Sequence, residues 1–224
     1  GGGGGGGGGG DVEPAQKYCN AVGPAYCGAL FACCPNPDVL GNEGVTLDGC
    51  LERWRTECPL WIEGEVGPLL ADGRSVLDEA HLNQCVQTLS EMKVGGAACD
   101  EPPRIVKLFT CWSAFHGQVM PGQPCGVSSS DISYVECAEG YCDQAVCKSY
   151  RQLGDSCNPS ADLCNRSRGE VCAFDGTTAT CKQAADIGGT CFYTPVANWA
   201  CKSLTCSQNN MCDLPSADYL CAGN

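Results

Sequence analysis

Apolar residues recur every three or four positions over the first half of the chain, which is the spacing of one helical face. Pro14 suits the first turn of such a helix, where its missing N–H costs nothing. The first apolar stripe comprises Tyr18, Val22, Tyr26, Leu30 and Cys33. Because Pro24 cannot donate a hydrogen bond inside a helix, Gly23-Pro24 predicts a kink or a restart at that point.

Three further stripes continue the helical pattern. The second comprises Leu47, Leu51, Trp54 and Cys58; the third Leu77, Ala80, Cys85, Leu89 and Met92; the fourth Ile105, Leu108, Phe109 and Trp112. Ser75 and Asp78 lie where a capping box would start the third helix. These stripes predict a small helical bundle over residues 14–119, following a polyglycine arm over residues 1–13.

After about Val119 the helical spacing stops, and glycine, proline, serine and cysteine dominate. A G-x-x-C signature recurs at Cys125, Cys157 and Cys191, and each of these cysteines opens a four-cysteine unit. The units are Cys125, Cys137, Cys142, Cys147; Cys157, Cys164, Cys172, Cys181; and Cys191, Cys201, Cys206, Cys212. We expect residues 120–224 to form three tandem cystine-stapled hairpin repeats and a tail. First-to-third and second-to-fourth pairing is our hypothesis among the three pairings that four cysteines allow.

The chain has 22 cysteines in 224 residues and contains no C-x-x-C pair. Clusters that bind metal, thioredoxin-like centres and c-type haem all use that pair, so a disulfide framework in an oxidising compartment is favoured. We predict no metal, no cofactor and a small disulfide-rich fold. The adjacent cysteines Cys33 and Cys34 could form a redox-active ring, but such neighbours more often bond to two different partners.

Two equal cysteine spacings suggest which disulfides join the helices. Cys19 and Cys27 are eight residues apart, and so are Cys50 and Cys58, which puts each pair on nearly one face, about 12 Å apart along a helix. Two antiparallel helices could therefore carry the rungs Cys19–Cys58 and Cys27–Cys50.

Cysteine parity predicts one more bridge. Nine cysteines precede residue 120 and thirteen follow it, and the three repeats account for twelve of the thirteen. The remaining cysteine is Cys221. We expect it to bond to the helical part, with Cys99 or Cys111 as the partner.

The whole pattern resembles cysteine-rich exported proteins and lipoproteins of myxobacteria and their relatives. The stretches that carry the resemblance are "YCNAVGPAYCGALFACC", "CWSAFHGQVMPGQPCG" and "CAEGYC", followed by the tandem G-x-x-C units. The repeats resemble Dickkopf-type cysteine-rich modules. The resemblance implies an exported chain without transferable catalytic residues, and a glycine tract such as Gly1–Gly10 resembles the tether after a lipidated cysteine, which is not visible here.

The formal net charge of −13 opposes binding to nucleic acid or to an anionic membrane surface. The only two histidines, His81 and His116, lie outside any nucleophile motif, and we interpret both as surface or core-edge residues. Asp131, Glu136 and Glu139 are interpreted as a solvated acidic face. We therefore predict no catalytic residues and no enzyme activity.

These observations favour a structural protein that is extracellular or at the cell surface and self-associates into a fibre or coat. Gly1–Gly10 is the candidate assembly arm, since a backbone without side chains can add to a neighbouring subunit as a strand. The alternative is a secreted or lipid-tethered binding or inhibitor module that recognises another extracellular protein.

Overall fold

The computed structural model describes residues 12–34, 46–92, 110–126, 135–158, 164–165, 168–174, 177–191, 201–202, 206–207 and 209–213. The helices are α1 (Val12–Cys33), α2 (Leu47–Glu65), α3 (Gly67–Ala71) and α4 (Glu79–Ser90), with a short 3-10 helix at Trp112–Ala114. Short strands form three antiparallel two-stranded sheets: β1 (Ser75–Leu77) with β2 (Phe115–Gly117), β3 (Gly140–Asp143) with β4 (Val146–Ser149), and β5 (Glu170–Phe174) with β6 (Ala179–Gln183). The predicted fold class, a disulfide-laced helical part followed by small cystine-stapled hairpins, is confirmed.

Helices α1 and α2 are joined by two disulfide rungs, as their cysteine spacing predicts. Cys19 bonds to Cys58 and Cys27 bonds to Cys50, and the Cα atoms are 5.9 Å apart in both bridges. The pairing of the first cysteine of α1 with the last of α2 makes the two helices antiparallel. Both rungs are buried, so they lie within the core that the two helices share.

Helix α1 runs through Gly23-Pro24 without interruption, so the expected restart is wrong. Pro24 removes only the hydrogen bond to the carbonyl of Asn20, and Asn20 is exposed to water, which can satisfy that oxygen. Gly23 has a packing role instead. A Cβ atom placed there would lie 3.1 Å from the Cβ of Trp54, so glycine lets α2 approach α1 closely.

Aromatic rings fill the centre of the helical part. Tyr18 of α1 lies 4.8 Å from Phe115 between ring centroids, and both are fully buried. Trp112 lies 6.2 Å from Tyr18, and Trp61 of α2 meets Trp112 edge-on at 4.5 Å. The segment before β2 therefore completes a core that the helices begin. Ile105, Leu108 and Phe109 of the fourth stripe lie outside the described residues.

The start of the third predicted helix differs from the expectation. Ser75 belongs to strand β1, where it pairs with Gly117, and α4 begins later, with Asp78 as its N-cap. Asp78 alone accepts hydrogen bonds from the first-turn amides of Ala80 and His81, so no capping box with Ser75 is needed. Leu47 and Ala80, which the stripes placed inside, are exposed because each sits in the first turn of its helix, beyond the edge of the core.

A third bridge joins α4 to the aromatic segment. Cys85 bonds to Cys111, so the prediction that Cys111 is a partner of Cys221 is wrong: Cys111 lies directly beside the 3-10 helix, against α4. Cys33 and Cys34 are both disulfide-bonded. Cys99, Cys221 and the polyglycine arm, Gly1 to Gly10, lie outside the described residues.

Candidate functional site

The three repeats are built on one disulfide pattern. The bridges are Cys125–Cys142 with Cys137–Cys147, Cys157–Cys172 with Cys164–Cys181, and Cys191–Cys206 with Cys201–Cys212. First-to-third and second-to-fourth pairing is thus confirmed in every unit. The two bridges of a unit close overlapping loops, and in the first two repeats these loops enclose the hairpins β3–β4 and β5–β6.

The G-x-x-C signature marks the same turn in each repeat. Gly122, Gly154 and Gly188 have φ angles of 86°, 89° and 80°, a backbone region that side chains rarely adopt. In each unit the N–H of this glycine donates to the carbonyl of the fourth cysteine at 2.7–2.8 Å. The glycine therefore supplies both the turn and the contact that brings the start of the repeat against its fourth cysteine.

Cysteine side chains form the buried hydrophobic cluster of each repeat, and single residues such as Tyr141, Val171 and Ala173 are buried outside these clusters. In the first repeat the buried cluster consists of Cys125, Cys137 and Cys147, and corresponding cysteines form the clusters of the other two. Sulfur atoms of three cysteines lie within 4.8 Å of one another in each unit, which is close enough for metal ligation. These sulfurs belong to disulfides, and a disulfide offers no thiolate to a metal ion.

A buried carboxylate joins the helical part to the first repeat. Glu136, directly before Cys137, is fully buried, and its Oε1 atom lies 2.6 Å from Nη2 of Arg74. The amide of Gly126 donates to Oε2 at 2.9 Å, and Arg74 also donates to the carbonyl of Pro124 at 2.6 Å. The interpretation of Glu136 as part of a solvated face is therefore wrong, because Arg74 compensates its charge inside the protein.

Backbone contacts at this junction are equally close. A Cβ atom on Gly117, the last residue of β2, would lie 2.3 Å from the carbonyl carbon of Glu136, so only glycine fits. The amide of Val119 donates to the carbonyl of Glu136 at 3.0 Å, and the amide of Gln118 donates to the carbonyl of Arg74 at 2.8 Å. Strand β2 and the first repeat therefore share one hydrogen-bond network.

The sequence carries one signal for this junction, which is that Glu136 stands between the apolar residues Val135 and Cys137. A carboxylate between apolar neighbours can be buried when a cation compensates its charge. The partner is not predictable, because Arg74 lies far away along the chain, in the turn after α3. The carboxylate is held by an ion pair and by the amide of Gly126, which favours a structural role over acid–base chemistry.

The two histidines lie next to each other at the start of α4. His81 is in the first turn of α4, and His116 is the middle residue of β2. His81 is exposed and His116 is half-buried, which agrees with their interpretation as surface or core-edge residues. That the fold brings them together could not be predicted, because it depends on the pairing of β1 with β2.

The chain matches no protein-family model, no curated protein and no solved structure. Among the described helices, none combines the length with the hydropathy that crossing a bilayer requires. The fold itself defines a cysteine-rich protein of small disulfide-stapled units, and so many disulfides indicate an oxidising compartment.

Proposed function

We propose that this chain is a non-enzymatic exported structural protein of the bacterial cell surface, a disulfide-hardened subunit of an extracellular fibre or coat. The observation that carries the proposal is the equivalence of the three repeats in bridges, turn and hydrogen bonds. Tandem units with the same backbone present the same surface at regular intervals, which suits repeated contacts between subunits.

Exposed apolar side chains occupy equivalent places on that surface. Leu153 and Ile187 each stand four residues before the first cysteine of their repeat, and both are exposed. Val146 and Met211 each directly precede the fourth cysteine of a repeat and are exposed as well. Side chains that recur in this way give neighbouring subunits matching apolar contacts, which supports assembly over a purely solvated surface.

The alternative is a binding or inhibitor module that recognises another extracellular protein. It is favoured by Leu60 and Trp61, adjacent residues of α2 that are 70% and 45% exposed. An exposed tryptophan beside an exposed leucine is typical of the anchors that protein interfaces use. On this alternative the repeats act as a rigid spacer, and the glycine tract is a tether.

Electron microscopy and native mass of the oxidised, full-length chain test the proposal. We expect polymers, and we expect Leu153→Ser/Ile187→Ser to reduce polymer mass while the matched pair Leu47→Ser/Leu60→Ser, two exposed residues of α2, leaves it unchanged. Deletion of Gly1–Gly10 should also reduce assembly if that arm docks on a neighbour. A chain that stays monomeric up to high concentration contradicts the structural proposal and favours the binding module.

A further inference from the structure

The fold brings the only two histidines of the chain together. Their ring centroids lie 6.5 Å apart and the rings are nearly parallel, with an interplanar angle of 13°. The cause is the strand pairing: Val76 of β1 lies opposite His116 of β2, and the chain then runs from β1 through Asp78 into α4. His81, in the first turn of α4, is thereby placed beside the strand that carries His116.

Asp78 adds a carboxylate to the pair. Its Oδ2 atom lies 3.0 Å from Nδ1 of His81, while its Oδ1 atom accepts the amides of Ala80 and His81. About half of the His81 side chain and a third of the Asp78 side chain are exposed, so a solvated ion can reach them.

We propose that Asp78, His81 and His116 form a binding site for a divalent transition-metal ion of the zinc class. Imidazole nitrogen and carboxylate oxygen are ligands that zinc accepts, and three protein ligands leave one position open to water. The excess of acidic residues, 26 against 13 basic ones, raises the local concentration of cations. The described cysteines are all bonded as disulfides, so none of them offers a thiolate that would compete with the imidazoles for the metal ion.

Binding requires exposed side chains to move, because the ligand atoms of Asp78, His81 and His116 do not all lie within 4.8 Å of one another. Two imidazoles that share one zinc ion at Zn–N distances of about 2.1 Å have ring centroids about 5–6 Å apart. The present 6.5 Å separation therefore has to close by about 1 Å. His81 can supply this movement because about half of its side chain is exposed.

Nuclear magnetic resonance of the two histidine side chains tests the site in the oxidised, full-length protein. With Zn²⁺ as the probe, we expect both imidazole signals to shift together and to saturate at one equivalent, and we expect no shift with Mg²⁺. His81→Gln and His116→Gln should each weaken Zn²⁺ binding by about tenfold or more. Asp78→Asn should weaken it less while retaining the helix cap, because asparagine also caps helices.

The matched control is Asp143→Asn, which removes the same charge from β3 and should leave zinc affinity unchanged. Circular dichroism of each variant establishes that the fold is retained. A shift of only one histidine, or the same zinc affinity in the two histidine variants as in the wild type, would overturn the site.

A second, independent inference concerns Cys33 and Cys34. The amide of Cys34 donates to the carbonyl of Leu30 at 2.8 Å, so the helical backbone continues to this residue. Side chains of successive helical residues point about 100° apart, so these two sulfurs do not face each other. Each of the two cysteines, both disulfide-bonded, therefore has its own partner elsewhere.

Counting identifies those partners. The nine bridges described above use 18 of the 22 cysteines, and 22 − 18 leaves four: Cys33, Cys34, Cys99 and Cys221. We infer that Cys33 and Cys34 bond separately to Cys99 and Cys221. In either arrangement Cys221, which follows the third repeat, is tied to the end of α1, so the chain beyond the repeats is covalently anchored to the helical part.

Digestion without reduction, followed by mass spectrometry, tests this inference. We expect the peptide that holds Cys33 and Cys34 to be linked to two other peptides, one with Cys99 and one with Cys221. On a denaturing gel without reductant the linkage within one chain gives a single band near 23 kDa. A peptide in which Cys99 is linked directly to Cys221 would overturn the inference, and so would a bond between Cys33 and Cys34.

Discussion

The helical part and the repeats of this chain hold themselves together in different ways. The helical part buries one continuous cluster in which aromatic and aliphatic side chains surround the disulfides. In each repeat the buried cluster consists of three cysteines, with only a few partly buried neighbours. In the helical part a bridge therefore adds to a core that other side chains also form. In a repeat the bridged cysteines themselves form the buried hydrophobic cluster.

The largest expected effect comes from removing two bridges from one region or the other. Replacing Cys157, Cys164, Cys172 and Cys181 by alanine removes both bridges of the second repeat, each worth about 3 kcal/mol. We expect strands β5 and β6 to unfold. Limited proteolysis with mass spectrometry should then find new cleavage sites within residues 170–183.

The matched variant replaces Cys19, Cys27, Cys50 and Cys58 by alanine. These rungs close loops of 39 and 23 residues, so their loss costs at least as much chain entropy, about 3–4 kcal/mol each. We nevertheless expect α1 and α2 to stay folded at 25 °C, with a lower melting temperature, because contacts such as Tyr26 with Trp54 remain. If α1 and α2 of this variant are cleaved as readily as β5 and β6 of the repeat variant, the comparison is contradicted.

The next effect concerns the ion pair that links the two regions. Arg74→Met leaves the fully buried Glu136 without its cation and should cost about 3–5 kcal/mol. Glu136→Gln should cost less, about 1–3 kcal/mol, because Arg74 is one-third exposed and glutamine still accepts from Gly126. Guanidinium denaturation with the disulfides intact measures both values.

A double variant, Arg74→Met/Glu136→Leu, serves as the control for the ion pair. It removes both charges at once, so it should be more stable than Arg74→Met alone. If Arg74→Met and Glu136→Gln lower the free energy of unfolding by the same amount, the stability of the junction does not depend on compensating the buried charge of Glu136.

Two glycines of α1 should respond in opposite directions to the same substitution. Gly23→Ala places a methyl group 3.1 Å from Trp54 and should destabilise the helical part by about 1–3 kcal/mol. A Cβ atom on Gly28 would meet no atom within 4 Å, so Gly28→Ala should stabilise by up to about 1 kcal/mol. Thermal denaturation measures the stability of both variants. A loss of stability in both would show that the close approach of α2 at Gly23 does not cause the effect.

The smallest effect is expected at Tyr18. Its hydroxyl group is buried and meets no hydrogen-bond partner among the described residues, so Tyr18→Phe should leave stability unchanged or raise it by about 1 kcal/mol. Tyr18→Leu, the control, removes the ring that contacts Phe115 and should be clearly destabilising. A loss of more than about 1 kcal/mol in Tyr18→Phe would mean that the hydroxyl has a partner.

Spacing along the chain is sufficient to predict the features that depend on local geometry. The rungs of α1 and α2 agree with the hypothesis drawn from two cysteine pairs of equal spacing, and the recurrent G-x-x-C signature marks the repeats, whose pairing agrees with one hypothesis among three. Both features depend on a helix face or on a short closed loop, so the residue spacing in the sequence is enough to suggest them.

Features that depend on contacts between distant segments escape prediction. The burial of Glu136 is decided by Arg74, and strand β1 exists because Gly117 and its neighbours pair with it. The meeting of His81 with His116 depends on that same strand pairing. A single sequence does not state which distant segments pair, so the junction and the histidine site emerge only from the fold.

The central claim is that cystine holds the repeats while apolar burial holds the helical part. Amide hydrogen exchange of the fully reduced and alkylated chain, compared with the oxidised chain, tests it most directly. We predict that residues 140–149 and 170–183 lose their protection, while residues 18–30 of α1 keep a measurable part of theirs. Loss of protection in both regions together, or its survival in the hairpins, would contradict the claim.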